Sequence, residues 1–394
     1  MSHPTALIVG SGIYGATAAL EMQRRGHRVT LIDAGPIPHP DAASTDISKV
    51  VRMEYGSDEF YMALVEEALE GWEDWNDQWS NNGTGPLYHE TGVLMVCREP
   101  MVPGGFEFES WQLLNSRGHR PERMNAESIA SRFPAWSTGK YGDGFFHARG
   151  GYAESSLVVE AVIRWAMREG VTVREGVRAA ELIRNGDRIV GVVTEDAERL
   201  LADETVVTTG TWVGTLLPEL ASAIRSSGHP VFHYRPADPE RFLADRFPVF
   251  TADVTRTGFY GFPLSRDGLV KIATHSLGTE MDPDGPRQVT AADEEHQRIF
   301  LRETFPELAE APVVATRLCL YADTRDGDLW IDRHPEIGGL SVAGGGSGHG
   351  FKFAPVLGEL IADAIEGNAN QWLERFRWRL DLDTDHREEA RHQG

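Results

Sequence analysis

Residues 6–36 read ALIVGSGIYGATAALEMQRRGHRVTLIDAGP, and this stretch decides the fold. It opens with a short apolar run that ends at Gly10, which is typical of a buried parallel strand. Apolar residues at helical spacing follow from Ala16, and the sequence Arg-Arg-Gly is a helix-stop signal. A second apolar run leads into Asp33. The order predicts a β-α-β unit with a GxGxxG turn after its first strand.

The glycines of this turn and the acidic residue after the second strand match the demands of a dinucleotide. Gly10 permits the tight turn, Gly12 lets the backbone approach a pyrophosphate, and Gly15 permits close packing of the helix on the strand. The helix N-terminus favours negative charge, and Asp33 can accept hydrogen bonds from ribose hydroxyls. A glycine turn in an ordinary β-α-β unit is the alternative. The motif does not decide between NAD and FAD.

Two further glycine-rich segments are expected to line the same dinucleotide. VVTTGTWVG, residues 206–214, and VAGGGSGHGFKF, residues 342–353, each join a predicted strand to a helix. Other predicted elements are a helix over 58–79, a hairpin turn at 185–187, and a strand over 313–321. From residue 231 to residue 275 the sequence alternates and carries aromatic residues, which favours an antiparallel sheet.

The length of 394 residues suggests two domains, or one large domain with an insertion. We predict an α/β (α+β two-domain) fold, in which an antiparallel-sheet substrate domain is interleaved with a Rossmann-like nucleotide-binding domain. The nucleotide-binding domain is predicted to comprise residues 1–90, 145–225 and 322–385. The substrate domain is predicted to comprise 91–144 and 226–321, with a tail over 386–394.

Charge and composition limit the partners. A net charge of −22 and a sequence pI of about 5.0 argue against nucleic acid. The two cysteines have no metal-ligand spacing, and no metal is expected. The sequence shows no secretory signal and no run of about 18 apolar residues, so we expect a cytoplasmic protein without a membrane span. The residues after Trp378 are expected to form a solvated extension.

Lysine is rare, since only four of the 38 basic residues are lysine: Lys49, Lys140, Lys271 and Lys352. Three of them lie in DISKVVRMEYG, RDGLVKIATH and GGGSGHGFKF, which contain candidate functional residues. Lysine differs from arginine in being a compact point charge whose pKa moves on burial. A genome that depletes lysine by base composition is the alternative explanation.

Several motifs together resemble one family. They are GSGIYG with LIDAGP, VVRMEYG around Arg52, ETGVLMV, GFYGFPLSRDGLVKIATHS, RLCLYADTRDGDLWIDRHPE and SGHGFKF. The chain resembles the D-amino-acid-oxidase-like FAD oxidoreductases over nearly its whole length. Within them it is most similar to the sarcosine oxidase and N-methyl amino acid oxidase branch, which is related to the fructosyl amino acid oxidases.

The resemblance implies FAD as the cofactor, attached covalently through Cys319. On the residue alone, a small buried hydrophobe is the favoured interpretation of Cys319, and the motif match reverses that preference; for Cys97 the buried hydrophobe stays the interpretation. The implied cofactor-binding residues are Gly10, Gly12, Ile13, Tyr14, Gly15, Asp33, Ser44, Lys49, Val177, Gly210, Trp212, Cys319, Gly346, Gly348, His349, Gly350 and Lys352.

The resemblance also implies catalytic roles for Lys271, Arg52, Lys352, His275, Tyr260 and Tyr321. Arg52 and Lys352 match a pair that grips the substrate carboxylate, and Lys271 matches the lysine beside the flavin where O2 is reduced. Tyr260 and Tyr321 would wall the substrate cavity, with His275 near the amine. A surface ion pair with Glu54 is the alternative for Arg52. For Lys271 the alternative is a solvated strand position.

The chain departs from sarcosine oxidases at Lys49, where they carry arginine, and the segment 44–49 leans toward fructosyl amino acid oxidases. The expected function is FAD-dependent oxidation of a secondary amine or N-substituted amino acid. The carbon next to nitrogen would give a hydride to flavin N5, and O2 would become H2O2. A fructosyl amino acid oxidase, a 2-hydroxy acid or amino acid dehydrogenase with another acceptor, and a non-catalytic flavin protein are the alternatives. The expected partners are an amine-bearing carboxylic acid and O2, and the protein is expected to be a monomer or small homo-oligomer.

Overall fold

A computed structural model describes residues 3–380 and 391–392. The strands of this part are, in chain order, β1 Thr5–Val9, β2 Arg28–Ile32, β3 Lys49–Val51, β4 Tyr88–Glu90, β5 Val93–Cys97, β6 Glu122–Asn125, β7 Asp143–His147, β8 Gly151–Ala153, β9 Thr172–Arg174, β10 Ala179–Asn185, β11 Arg188–Thr194, β12 Arg199–Leu201, β13 Glu204–Val207, β14 Ile224–Tyr234, β15 Val249–Ala252, β16 Phe259–Gly261, β17 Val270–Thr274, β18 Thr279–Glu280, β19 Val313–Thr324, β20 Trp330–Arg333 and β21 Leu340–Gly344.

The α-helices of the same part are α1 Ile13–Arg24, α2 Glu59–Asn81, α3 Phe106–Ser116, α4 Ala126–Arg132, α5 Ser155–Arg168, α6 Val213–Leu216, α7 Val254–Thr257, α8 Ala291–Thr304, α9 Pro306–Ala309, α10 Ala354–Glu366 and α11 Leu373–Phe376. The helix predicted over 58–79 is α2, and the Asp58 side chain caps it by accepting a hydrogen bond from Tyr61 N at 3.1 Å. In the described residues no helix is long and apolar enough to cross a membrane.

A six-stranded sheet forms the first layer, in the order β20-β21-β13-β1-β2-β9. All its pairs are parallel except β20–β21. Successive side chains of β1 alternate between two cores: Ala6 and Ile8 pack with the helices, whereas Leu7 and Val9 pack against residues of β10 and β11. The predicted β-α-β unit and the hairpin between β10 and β11 are confirmed.

A nine-stranded sheet forms the second unit, in the order β18-β14-β17-β16-β15-β5-β7-β6, with β19 paired to β14. One face of this sheet is an aromatic core that includes Phe232, Phe250 and Ile272. The other face points toward the first sheet and carries the polar residues of the site. The predicted two-domain α/β architecture with an interleaved, largely antiparallel sheet is therefore confirmed.

The strands of the nine-stranded sheet come from residues 93–147 and 224–324, and those of the six-stranded sheet from the remaining segments. The predicted division into domains stays a prediction, and its residues 1–2, 381–390 and 393–394 lie outside the described residues. The expected solvated extension after Trp378 is wrong for Arg391, whose side chain is only 5% exposed. The reason is a buried ion pair between Arg391 and Asp323.

Candidate active site

The larger of two cavities lies at the carboxyl ends of the parallel strands, where α/β sheets bind ligands. It encloses about 1320 Å³, including its open mouth. All three glycine-rich segments contribute to its wall. The predicted cofactor residues that line it are Gly10, Gly12, Ile13, Tyr14, Asp33, Ser44, Lys49, Val177, Gly210, Trp212, Gly346, Gly348 and Gly350.

The GxGxxG turn brings backbone to the edge of this cavity. Gly10 has a φ of +104°, and a Cβ there would come within 2.7 Å of the Thr208 carbonyl oxygen. Gly15 does not line the cavity, because its Cα packs on the turn itself: a Cβ would lie 1.8 Å from Gly10 O. The turn therefore excludes side chains at both positions and opens the N-terminus of α1 onto the cavity.

Asp33 is held at the cavity wall by the GxGxxG turn and by its own loop. Its Oδ2 accepts hydrogen bonds from the backbone N and the Oγ of Ser11, both at 2.7 Å, and its Oδ1 accepts one from Gly35 N at 3.1 Å. These contacts fix the carboxylate, which suits it to receive ribose hydroxyls.

Polar atoms at the wall fit an extended nucleotide. The hydroxyls of Tyr14, Thr209 and Thr211 are buried and have no hydrogen-bond partner within residues 3–380 and 391–392. Buried hydroxyls without partners are costly in a finished core, so they favour a ligand that supplies the missing contacts. The donor set and the close backbone approach fit a dinucleotide such as FAD.

The second cavity adjoins the first and shares Lys49, Tyr321, Gly348 and Phe351 with it. Its empty space, including the mouth, is about 640 Å³. The predicted catalytic residues Arg52, Lys352, His275, Tyr260 and Tyr321 all line it. His349 and Lys352, predicted as cofactor-binding, line this cavity and not the first.

Two cations of this second cavity are buried together. The Lys352 ammonium donates to Tyr55 Oη at 2.8 Å and lies 4.3 Å from the centre of that ring. The Arg52 guanidinium lies 5.4 Å from the same ring centre. Arg52 is only 5% exposed, which excludes the surface ion pair considered as its alternative. Glu54 is buried as well, and its Oε1 lies 3.0 Å from His147 Nδ1.

The alternation of side chains in the nine-stranded sheet explains how distant residues meet. In the pairing of β14 with β19, His229 is opposite Cys319 and Ser227 is opposite Tyr321. Every second residue of a strand faces the same side, so Cys319, Tyr321 and Asp323 share the face toward the cavities.

Lys271 belongs to a buried cluster on the same face. Its ammonium donates to Asp46 Oδ2 and to Ser48 O, each at 2.6 Å, and Lys49 Nζ lies 3.6 Å from the same carboxylate oxygen. Lys271 is 1% exposed, which excludes the solvated strand position. Burial lowers the pKa of Lys271 to about 8 against the opposing attraction of Asp46. Lys271 lines neither cavity, and Lys49 lies on the wall of both.

The two cysteines lie in different surroundings. Cys319 is buried at the middle of β19, and its Sγ is 3.7 Å from Lys49 Nζ. Cys319 is not on the wall of either cavity, although Tyr321, two residues along the same face, lines both. Cys97 lies apart, beside Glu107 and Asp253, and burial raises the pKa of its thiol strongly.

Some residues of the site were not predicted from the sequence. Asp46 holds the lysine cluster together, and it could have been found as an acid three positions before one of four rare lysines. His229 stacks on Tyr321 with ring centres 3.8 Å apart. It was missed because the alternating pattern was recognised only from residue 231, whereas β14 begins at Ile224.

A dinucleotide cavity that opens into a second pocket is typical of oxidoreductases that use a nucleotide cofactor. The chain matches the family described as FAD dependent oxidoreductase, DAO, over residues 5–364. It belongs to this family, which confirms the predicted resemblance, the predicted FAD and the enzyme class.

The chain is similar to two curated enzymes and one solved structure in particular. It is 31% identical to the N-methyl-L-tryptophan oxidases of Shigella dysenteriae serotype 1 and Escherichia coli K12, over 91% of this chain and 93% of each relative. The solved fructosamine oxidase Amadoriase II of Aspergillus fumigatus, in complex with FSA, is 28% identical. It has a TM-score of 0.84 and the match covers 100% of this chain and 94% of that one.

Proposed function

We propose that this protein is an FAD-dependent oxidase of N-substituted amino acids that produces H2O2. The observation that carries the proposal is the meeting of the two cavities at Lys49 and Tyr321, beside the buried cations Arg52 and Lys352. Bound FAD supplies a two-electron acceptor, and the residues of the chain supply binding, orientation and charge.

The two cations suit a substrate carboxylate. A guanidinium offers paired N–H donors and an ammonium offers a point charge, so together they neutralise a carboxylate away from water. Both cations lie close to the Tyr55 ring, which limits the positions that their side chains can take. Holding the acid at this end directs its amine carbon toward the shared wall, which lowers the entropy cost of reaction.

The remaining wall favours an apolar or aromatic substituent. Val254, Tyr260 and Phe262 line the second cavity, and no carboxylate side chain among the described residues does so. A sugar with many hydroxyls needs several acceptors, and carboxylates are the strongest acceptors among side chains. This composition favours an N-alkyl amino acid over a fructosyl amino acid.

The test is a peroxide assay with a matched panel of N-methyl-L-tryptophan, sarcosine, a fructosyl amino acid and a 2-hydroxy acid. We expect N-methyl-L-tryptophan or another N-methyl aromatic acid to give the highest kcat/KM. Preference for the fructosyl acid would favour the second candidate, which the likeness to Amadoriase II supports. Reduction of a dye with the 2-hydroxy acid and no peroxide with any amine would contradict the proposal.

Cys319 is proposed as the covalent attachment point of FAD. Its thiol is buried, with the Sγ atom 3.7 Å from Lys49 Nζ, and Lys49 lies on the wall of both cavities. We expect yellow colour to remain with wild-type protein after acid precipitation and to move to the supernatant for Cys319→Ala. Cys97→Ala, which changes the other buried cysteine, is the control and is expected to keep the colour. Colour that leaves the wild-type protein would contradict the link.

The pKa of Lys271 predicts how oxygen reactivity depends on pH. With a pKa of about 8, Lys271 carries its charge below that pH and loses it above. We therefore expect the rate of reaction of the substrate-reduced enzyme with O2 to fall as pH rises through about 8. Stopped-flow measurement over pH 6 to 10 tests this, and Lys271→Met is expected to lose this inflection. A wild-type rate that is constant or rises across that range would contradict it.

A further inference from the structure

Arg391 is buried close to Tyr321, which lines the second cavity. Its Nη2 donates to both carboxylate oxygens of Asp323, at 2.8 and 3.0 Å, and its Nε donates to Ser276 O at 2.8 Å. Its guanidinium carbon lies 5.8 Å from the ring centre of Tyr321. An arginine paired in this way fixes its partners, since a buried carboxylate without a cation is strongly unfavourable.

The Asp323 carboxylate connects this arginine to the wall of the cavity. Asp323 accepts a short hydrogen bond from Ser227 Oγ, and that hydroxyl lies 2.9 Å from His229 Nε2. The His229 ring stacks on Tyr321 with an interplanar angle of 19°. Arg391 therefore holds the chain of groups that supports the Tyr321 ring.

Tyr321 has little room to move. Besides the stacked His229 ring, Gly348 lies so close that a Cβ there would come within 2.3 Å of Tyr321 Cε2. Tyr321 lines both cavities, and it shares its face of β19 with Cys319. A small shift of His229 would therefore move the Tyr321 ring, which lies where the two cavities meet.

The neighbouring residue, His392, contacts a second wall residue. The backbone N of His392 donates to His275 O at 3.0 Å, and His392 pairs with Ser276 as an isolated parallel bridge. The Nδ1 of His392 lies 2.9 Å from Thr255 O. His392 thus ties the backbone at His275, which lines the second cavity, to Arg391.

We propose that Arg391 is a positioning residue of the active site, which orients Tyr321 through Asp323, Ser227 and His229 while its neighbour His392 orients His275. The inference rests on the proposed function, because it assigns the second cavity to the substrate. It goes beyond that function by giving residues 391–392, remote from the motifs in sequence, a part in substrate binding.

The test compares Arg391→Ala with Arg25→Ala in the FAD-loaded enzyme. Arg25 is a matched control, because it forms a half-buried ion pair with Asp363 at 2.7 Å and lines neither cavity. Affinity is measured with indole-3-acetate, a carboxylate that cannot be oxidised as an amine, from its perturbation of the flavin absorbance. We expect Arg391→Ala to weaken this binding and to slow anaerobic reduction by substrate by about tenfold each, as for a small misplacement of site groups. Arg25→Ala is expected to change only the unfolding temperature.

Rescue separates positioning from a general loss of stability. Added guanidinium ion is expected to restore binding in Arg391→Ala, whereas KCl at the same ionic strength is not. If Arg391→Ala does not accumulate, the double variant R391A/D323N removes the unpaired buried charge and is expected to show the same weakened binding. Unchanged binding and reduction rates in whichever variant folds would overturn the proposal. Wild-type enzyme that binds indole-3-acetate but oxidises no amine would contradict the proposed function and leave the binding comparison valid.

Discussion

Lys271→Met is expected to slow the reaction of the substrate-reduced enzyme with O2 by about 100- to 1000-fold, the effect of removing one preorganised charge from a developing anion. Lys271 and Lys49 surround the single carboxylate of Asp46, so this buried group carries one net positive charge. Methionine has a similar shape and no charge, so the substitution cancels that excess. O2 gains negative charge when it accepts electrons. In Lys271→Met no excess positive charge remains to stabilise that negative charge.

The two half-reactions are measured separately by stopped flow. Anaerobic reduction by substrate is expected to change much less than reoxidation. Lys140→Met is the matched control, because Lys140 pairs with Glu303 and lines neither cavity. Asp46→Asn removes the attraction that opposes the lowering of the Lys271 pKa by burial, so it is expected to shift the loss of oxygen reactivity to lower pH. Equal slowing of both half-reactions in Lys271→Met would show that the lysine shapes the site without a specific part in the reaction with O2.

Arg52→Ala is expected to raise KM for amino acid substrates by about 30-fold or more, equivalent to roughly 2 kcal/mol for one partner of a buried charge pair. Arg52 as a whole residue is 5% exposed, so water is poorly placed to replace its charge. Lys352→Met is expected to act in the same direction, because the two cations lie around the same tyrosine. The measurement is steady-state KM and kcat for an N-methyl amino acid.

Two controls make the Arg52 result specific. An amine of the same shape without a carboxylate is expected to have similar kcat/KM in wild type and Arg52→Ala. The variant also leaves Glu54 buried beside an emptied position, so E54Q/R52A tests whether a loss comes from that charge. A KM that stays constant for the acid in both variants would remove Arg52 from the substrate site.

The cofactor side of the fold could be predicted from the sequence to a large extent. The GxGxxG motif can be recognised locally, because each glycine meets a steric demand that arises within the turn itself. The turn lies where the sequence predicts it. The site residues named from the resemblance also come together, with Arg52, Lys352 and His275 on one cavity wall. Their roles stay predictions, because neither the fold nor the family relation tests them.

The supporting groups could not be predicted, because their partners are distant in the sequence. Asp323 and Arg391 are 68 positions apart and meet only through the arrangement of β19. The sequence around His229 does not indicate a site residue, because its position opposite Cys319 depends on the pairing of β14 with β19. Local patterns carry no information on which side chains face each other across a sheet.

The register of β14 against β19 limits how this enzyme can evolve. Inserting or deleting one residue within β19 would turn Cys319 and Tyr321 to the opposite face of the sheet and bring their apolar neighbours to the face toward the cavities. The proposed cofactor attachment, the proposed substrate wall and the support of the Tyr321 ring would all be lost in one event. New substrate preferences in this lineage are therefore expected to arise by substitution on strands of constant length, with changes in length confined to the connecting loops.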